Sequence, residues 1–309
     1  MSRIIFFNTC NTYYQKDIFF KMHKTLERKG QKWELYDGEQ YKDCNVAVVF
    51  GSTKKHTGKL WKIRNVSHKI KNDIDRSHNT IDIPKNKLVV LETPILGRQI
   101  TEEHTHFRVG LDHFLPNLAD FNWDTNDTRW KVLQKELDLE VKPWRETTNK
   151  KYVLLLCQNL SDASLLGLDM LQWIMATVKH LMKRTNRKIV IRNHPLSKVS
   201  VKEMFDSFYN MQQVEFSDNS LEKDFAGAHC SIAYTSGASI DSIMAGVPVI
   251  TPSPYNFVYD ISSHDLEQVE TPKLGDRQEL LNKLAYTQWS VEDIICLLYT
   301  SPSPRDRLS

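Results

Sequence analysis

Between residues 188 and 254 lie three short apolar, β-branched runs, Ile189-Val190-Ile191, Cys230-Ser231-Ile232-Ala233-Tyr234 and Val247-Pro248-Val249-Ile250. Each is closed by residues that turn the chain or present polar groups, and that pattern predicts buried strands of a parallel sheet. The first run ends in Arg192-Asn193-His194-Pro195, where Pro195 stops the regular backbone and leaves His194 at a strand's carboxyl edge. The second passes through Thr235-Ser236-Gly237 into residues 238–245, whose Ile240, Ile243 and Met244 share a helical face before Gly246 releases the chain. Open α/β sheets bind ligands at this edge, and a small polar turn leading into a helix offers amides and hydroxyls to an anion.

The segments Gln158-Asn159-Leu160-Ser161-Asp162-Ala163-Ser164, Arg192-Asn193-His194-Pro195, Tyr234-Thr235-Ser236-Gly237 and Ala245-Gly246-Val247-Pro248-Val249, taken in order, resemble the donor half of GT-B glycosyltransferases. The likeness is to the capsule-polysaccharide, Kdo-transferase-like group, and Thr235-Ser236 stands where that group has Ser-Ser. The resemblance implies an α/β fold of two Rossmann-like domains facing across a cleft, a nucleotide-sugar donor, a glycan acceptor and no further cofactor. It implies donor contacts from Gln158, Arg192, His194, Pro195, Thr235, Ser236, Gly237 and Ser239, and it points to acids in the segments of Asp162 and Glu92.

The first half of the chain also alternates strand and helix patterns. Ile4 to Phe7 reads as a strand, and residues 17–29 carry Ile18, Phe19, Met22 and Leu26 on one helical face before Gly30. Val46-Ala47-Val48-Val49-Phe50 precedes Gly51-Ser52-Thr53, and Lys87-Leu88-Val89-Val90-Leu91 ends at Glu92, a carboxylate at a strand's carboxyl edge. Residues 54–71 hold Lys54, Lys55, Lys59, Lys62, Arg64, Lys69 and Lys71 without an acid, and Leu60, Ile63, Val66 and Ile70 fall at helical spacing. That segment is expected to be a helix whose basic face is solvated or forms a rim for a polyanion, DNA or an acidic membrane surface. Residues 95–125 read as an irregular loop, with Arg108, Asp112 and His113 on the acceptor side. The histidines there lack metal-ligand spacing, so no metal site is expected. A linker near 142–151 divides a first domain at 1–145 from a second at 146–295. Residues 296–309 lose the helical period and read as a non-native tail, which would leave the natural C-terminus and its closing helix missing.

A chain of 309 residues can bury two cores, and 40% hydrophobic with 26% charged residues describes a globular protein. No apolar run approaches the roughly 20 residues of a membrane helix, and the N-terminus reads as a strand, so cytoplasmic residence is expected, peripheral to a membrane or phage-encoded as variants of it. Cys10, Cys44, Cys157, Cys230 and Cys296 show no paired spacing and are expected to stay reduced. A net charge of +3 is too small to imply nucleic-acid binding by itself.

Sugar transfer needs a stabilised departing phosphate, a carboxylate near the reacting carbon and exclusion of water. His194 can donate to or protonate phosphate oxygens, and the Ser236-Gly237 turn adds hydroxyl and amide donors. Asp162 and Glu92 are the candidate catalytic carboxylates, provided neither serves as an N-cap or sits in a buried salt bridge. There is no DxD pair at a strand end, so metal independence is expected. The other readings are a transferase acting on hydroxymethylated phage DNA, a sugar-nucleotide epimerase and a non-catalytic nucleotide-binding module. Donor hydrolysis and competition by polyanions separate them.

Overall fold

The structure is a computed structural model that describes residues 3–8, 13–30, 32–37, 41–51, 53–56, 59–63, 79–81, 87–98, 105–121, 123–145, 151–160, 162–195, 197, 201 and 212–300. The chain divides into two compact units, Met1–Asp138 with Leu281–Ser309, and Leu139–Leu280. Elements are numbered in chain order.

In the first unit, β1 (Ile4–Phe7), α1 (Tyr13–Arg28), β2 (Trp33–Tyr36), β3 (Val46–Phe50), β7 (Leu88–Glu92), β8 (His106–Leu111), α2 (Thr128–Glu136), β14 (Gln288–Ser290) and α7 (Val291–Thr300) surround a six-stranded sheet. Its order is β14-β8-β7-β3-β1-β2, with β8 antiparallel to both its neighbours and the other pairs parallel. Alternate residues of the strands, Ile4 and Phe6, Val46, Val48 and Phe50, Val89 and Leu91, build one core with Ile18, Phe19, Met22 and Leu26 of α1. These are the residues the helical spacing singles out. Val291, Ile294 and Ile295 of α7 join the same core, so this C-terminal segment contributes a helix to the first unit. α7 runs through Cys296 to Thr300, inside the stretch expected to be a tail; residues 301–309 lie outside the described residues.

A separate three-stranded sheet holds β4 (Thr53–His56), β5 (Lys59–Ile63) and β6 (Asn79–Ile81). Where a basic helix is expected, residues 53–56 and 59–63 are therefore antiparallel strands, with His56 opposite Lys59. Leu60 and Ile63 are three apart, a spacing that by itself also fits a helix. Arg64, Val66, Lys69, Ile70 and Lys71 lie outside the described residues.

The second unit contains β9 (Tyr152–Leu156), α3 (Met170–Leu181), β10 (Lys188–Arg192), β11 (Val214–Ser217), α4 (Leu221–Gly227), β12 (Ala228–Ala233), α5 (Ala238–Met244), β13 (Val249–Ile250) and the start of α6 (Arg277–Ala285). Its sheet is wholly parallel in the order β11-β10-β9-β12-β13. Ile174, Val178 and Leu181 of α3 pack on Val153, Leu155, Ile189, Ile191 and Ile232. Of the expected linker, residues 142–145 hydrogen-bond within this unit: Lys142 N donates to Met244 O at 2.8 Å and Arg145 N to Gly246 O at 3.0 Å. Gly246 has φ +78°, and a Cβ there would meet Pro143 O at 2.1 Å, so only glycine fits. Cys157 and Cys230 are free and enclosed in this core, where burial pushes both thiols up to about 12. Among the described residues no helix is long and apolar enough to cross a membrane.

Candidate functional site

In the second unit the chain builds β10 and β11 on one side of β9 and then crosses to place β12 and β13 on the other. The order reverses between β9 and β12, and such a switch point is where an open α/β sheet leaves a crevice outside its carboxyl ends. Leu156 is level with both Arg192 and Ala233. Cys157-Gln158, Asn193-His194 and Tyr234-Thr235-Ser236 therefore leave the sheet together at one edge.

Gln158 and Thr235 meet across the switch point. Gln158 Oε1 accepts from Thr235 N at 2.9 Å, while Gln158 Nε2 donates to Thr235 Oγ1 and to Ser164 Oγ, each at 3.0 Å. Thr235 Oγ1 has one proton to give to Gln158 Oε1, Ser164 O or Ser164 Oγ, all within 3.2 Å. All three side chains are buried, and their polar atoms are satisfied by one another. Ser239 Oγ is likewise engaged by Ser236 O at 2.7 Å and Asn256 Oδ1 at 2.8 Å, and Asn256 Nδ2 donates to Tyr234 O at 3.0 Å. Asn256 thus ties the loop after β13 to the turn after β12. Of the expected donor contacts, Gln158, Thr235 and Ser239 have their side chains hydrogen-bonded within the protein at this edge. His194, half-buried Gly237 and exposed Pro195 lie further out, with Ser236 Oγ accepting from Ala238 N at 3.3 Å.

Arg192 and Asp162 each have a structural partner. Arg192 Nη1 donates to Asp224 Oδ2 at 2.7 Å and to Asn219 O. Asp162 caps the short helical turn at Ala163–Leu165, its Oδ1 accepting from Ser164 N at 2.8 Å. The condition that a catalytic acid not be an N-cap fails for Asp162, because a carboxylate one step before a helical turn is drawn to the unpaired amides.

In the first unit Glu92 is half-buried at the carboxyl end of β7. Its Oε1 accepts from Thr93 N at 2.8 Å, and its Oε2 lies 3.5 Å from where a Cβ on Gly51 would stand. The stretch expected to be irregular contains β8, and its antiparallel direction separates the acceptor-side set. Arg108 is buried and pairs in register with Glu92. Asp112 N donates to Leu88 O at 2.9 Å, at the opposite end of β7, four residues or roughly 13 Å from Glu92. His113 follows it, buried, with Nδ1 accepting from Leu115 N at 3.1 Å. Asp112 and His113 are therefore not neighbours of Glu92. Asp112 has φ +62°, the left-handed turn that ends β8.

The pairing of Asp224 and Ser217 with the residue Arg192 at this edge was not foreseen from the sequence. The available signal for Asp224 was an acid beside Phe225 and three residues after Leu221, on the apolar stripe of a short helix. A further group among the described residues, His180, Asp265 and Glu267, holds three potential metal ligands within 4.8 Å of one another, but Arg184 Nε pairs with Glu267 at 2.7 Å and already supplies its cation.

No protein-family model matches the chain, and no curated protein matches it. Among solved structures, the KpsC β-Kdo 2,7-transferase of Thermosulfurimonas dismutans is 14% identical over 95% of this chain and 97% of that one, with a TM-score of 0.53. The β-Kdo 2,4-transferase of the same KpsC is 13% identical over 96% and 97%, with a TM-score of 0.51. A UDP-GlcNAc 2-epimerase of Methanocaldococcus jannaschii reaches only 0.31, too low to bear on the fold. The two Rossmann-like units of this chain accordingly have the GT-B fold of the Kdo transferases.

Proposed function

We propose that the protein is a glycosyltransferase that takes a sugar from a nucleotide-activated donor and passes it to a glycan. The observation that carries this reading is the switch point between β9 and β12, where three strand ends aligned by register carry His194 and the Ser236-Gly237 turn above a fully hydrogen-bonded Gln158–Ser164–Thr235 base. A rigid base of this kind keeps the groups above it in one geometry, and preorganised donors stabilise charge that develops on a departing phosphate. The fold of the Kdo transferases and the His194-Pro195 and Thr235-Ser236 motifs support the same assignment.

In this mechanism His194 and the amide and hydroxyl of the Ser236 turn bind the donor phosphate and stabilise the leaving nucleotide. Glu92 is the preferred catalytic carboxylate, because it lies half-buried at the carboxyl end of β7, next to Gly51. The proton of the acceptor hydroxyl passes to that carboxylate as the new bond to the sugar forms and the bond to phosphate breaks. The test is a thermal-shift and calorimetric screen of nucleoside phosphates and nucleotide sugars, followed by assay of donor hydrolysis. Binding of a nucleotide together with slow donor hydrolysis supports the reading, and a chain that binds no nucleotide contradicts it.

A further inference from the structure

Asp224 is almost fully enclosed, with 1% of its side chain exposed, and its acid group is surrounded by donors. Its Oδ1 accepts from Ser217 Oγ at 2.6 Å and Asn219 Nδ2 at 3.2 Å, and its Oδ2 from Arg192 Nη1 at 2.7 Å. A carboxylate buried in this way is fixed in place, because its lone pairs are already directed to partners. Arg192 is the last residue of β10, at the carboxyl edge of the sheet and two positions before His194. Its Nη1 spends both hydrogens, on Asp224 Oδ2 and on Asn219 O. Among the described residues neither Nε nor Nη2 has a hydrogen-bond partner. These two N–H groups form one straight edge of the planar guanidinium, spaced to meet two oxygens of a phosphate.

We infer that Asp224 is a positioning residue that holds Arg192 by one nitrogen so that the remaining Nε–Nη2 edge is presented beside His194 as a fixed two-pronged phosphate contact. This rests on the donor-phosphate reading above and extends it to a residue in another segment. A purely structural ion pair needs only one contact and a positive charge, which a lysine supplies equally well. A phosphate clamp needs the second edge, which a lysine lacks.

The experiment titrates CMP, UMP, UDP and phosphate-free cytidine and uridine into the full chain and its Arg192→Lys, Asp224→Asn and Ser217→Ala variants, with denaturation curves run alongside. Arg192→Lys is expected to keep near-normal stability and lose tenfold or more in affinity for the phosphate that binds, with nucleoside binding unchanged. Asp224→Asn is expected to lose a similar factor and Ser217→Ala two- to threefold. If Asp224→Asn does not fold, the Arg192 Nε–H resonance of the wild-type chain, assigned with Arg192→Lys, must shift on adding nucleotide, and Ser217→Ala must weaken binding. Nucleotide bound with wild-type affinity by Arg192→Lys, or an Arg192 resonance that does not move, overturns the inference and leaves the donor reading standing. A wild-type chain that binds none of the phosphates overturns both.

Discussion

The two sheets end very differently at their carboxyl edges. In the second unit all strands run parallel, so Gln158, Arg192, His194 and Thr235 come to the same edge, where Gln158 is hydrogen-bonded to Thr235 and Arg192 to the buried Asp224. In the first unit the parallel run stops at β7, and the chain beyond it returns antiparallel through β8. Strand direction therefore decides which residues share an edge: Arg108 comes level with Glu92, while Asp112 and His113, only a few residues on, are carried to the far end of β7. Nearness in sequence is a guide to a shared site at the end of a parallel strand and a poor one across an antiparallel turn.

The largest effect expected from breaking this contrast is Asp224→Ala. It removes the partner of Arg192 and empties a buried site, and loss of one member of a buried ion pair costs about 3–5 kcal/mol. Urea denaturation should show that loss; a change below about 1 kcal/mol would mean that the network does not hold the edge.

Glu92→Gln should lower turnover by roughly a hundredfold, about 2.7 kcal/mol in the barrier, while donor binding survives. Asp112→Asn, at the other end of β7, should leave turnover within about twofold. Steady-state kinetics on both variants sharpens the comparison, and the reverse ranking would place the chemistry at the opposite edge of the sheet.

Thr235→Val preserves shape and removes the hydroxyl between Gln158 and Ser164, so it should cost about 1–2 kcal/mol of stability. Thermal denaturation measures it. An unchanged midpoint would show that the hydroxyl carries no net stability in that base.

Asp162→Asn should be the mildest change. Asparagine caps a helical turn about as well as aspartate, so stability should move by less than about 0.5 kcal/mol and turnover should hold. A large loss of turnover with the fold intact would return Asp162 to the mechanism.

Much of the fold could be read from the chain because buried parallel strands are continuous apolar runs: β1, β3, β7, β9, β10 and β12 all announce themselves, as do the core faces of α1 and α3. The strands that escaped notice carry mixed residues. β2 is Trp-Glu-Leu-Tyr and β11 is Val-Glu-Phe-Ser, both at sheet edges, and β8 contains His106 and Arg108. The residues at the carboxyl edge of the second sheet could be placed there because their motifs follow strands directly. Their supports could not, because Asp224 reaches Arg192 from 32 positions away and Asn256 reaches Ser239 from 17. Pairing at such distances depends on the packed sheet and leaves no local pattern.

The central claim is that the carboxyl edge at the β9–β12 switch point binds a nucleotide phosphate through His194. Calorimetric titration of nucleoside phosphates into the wild-type chain and into His194→Ala tests it directly. The account predicts binding to the wild type, weakened in His194→Ala by about 1.5–3 kcal/mol, roughly tenfold to a hundredfold, with the denaturation midpoint unchanged. Equal nucleotide affinity in the two proteins, with both folded, would contradict it.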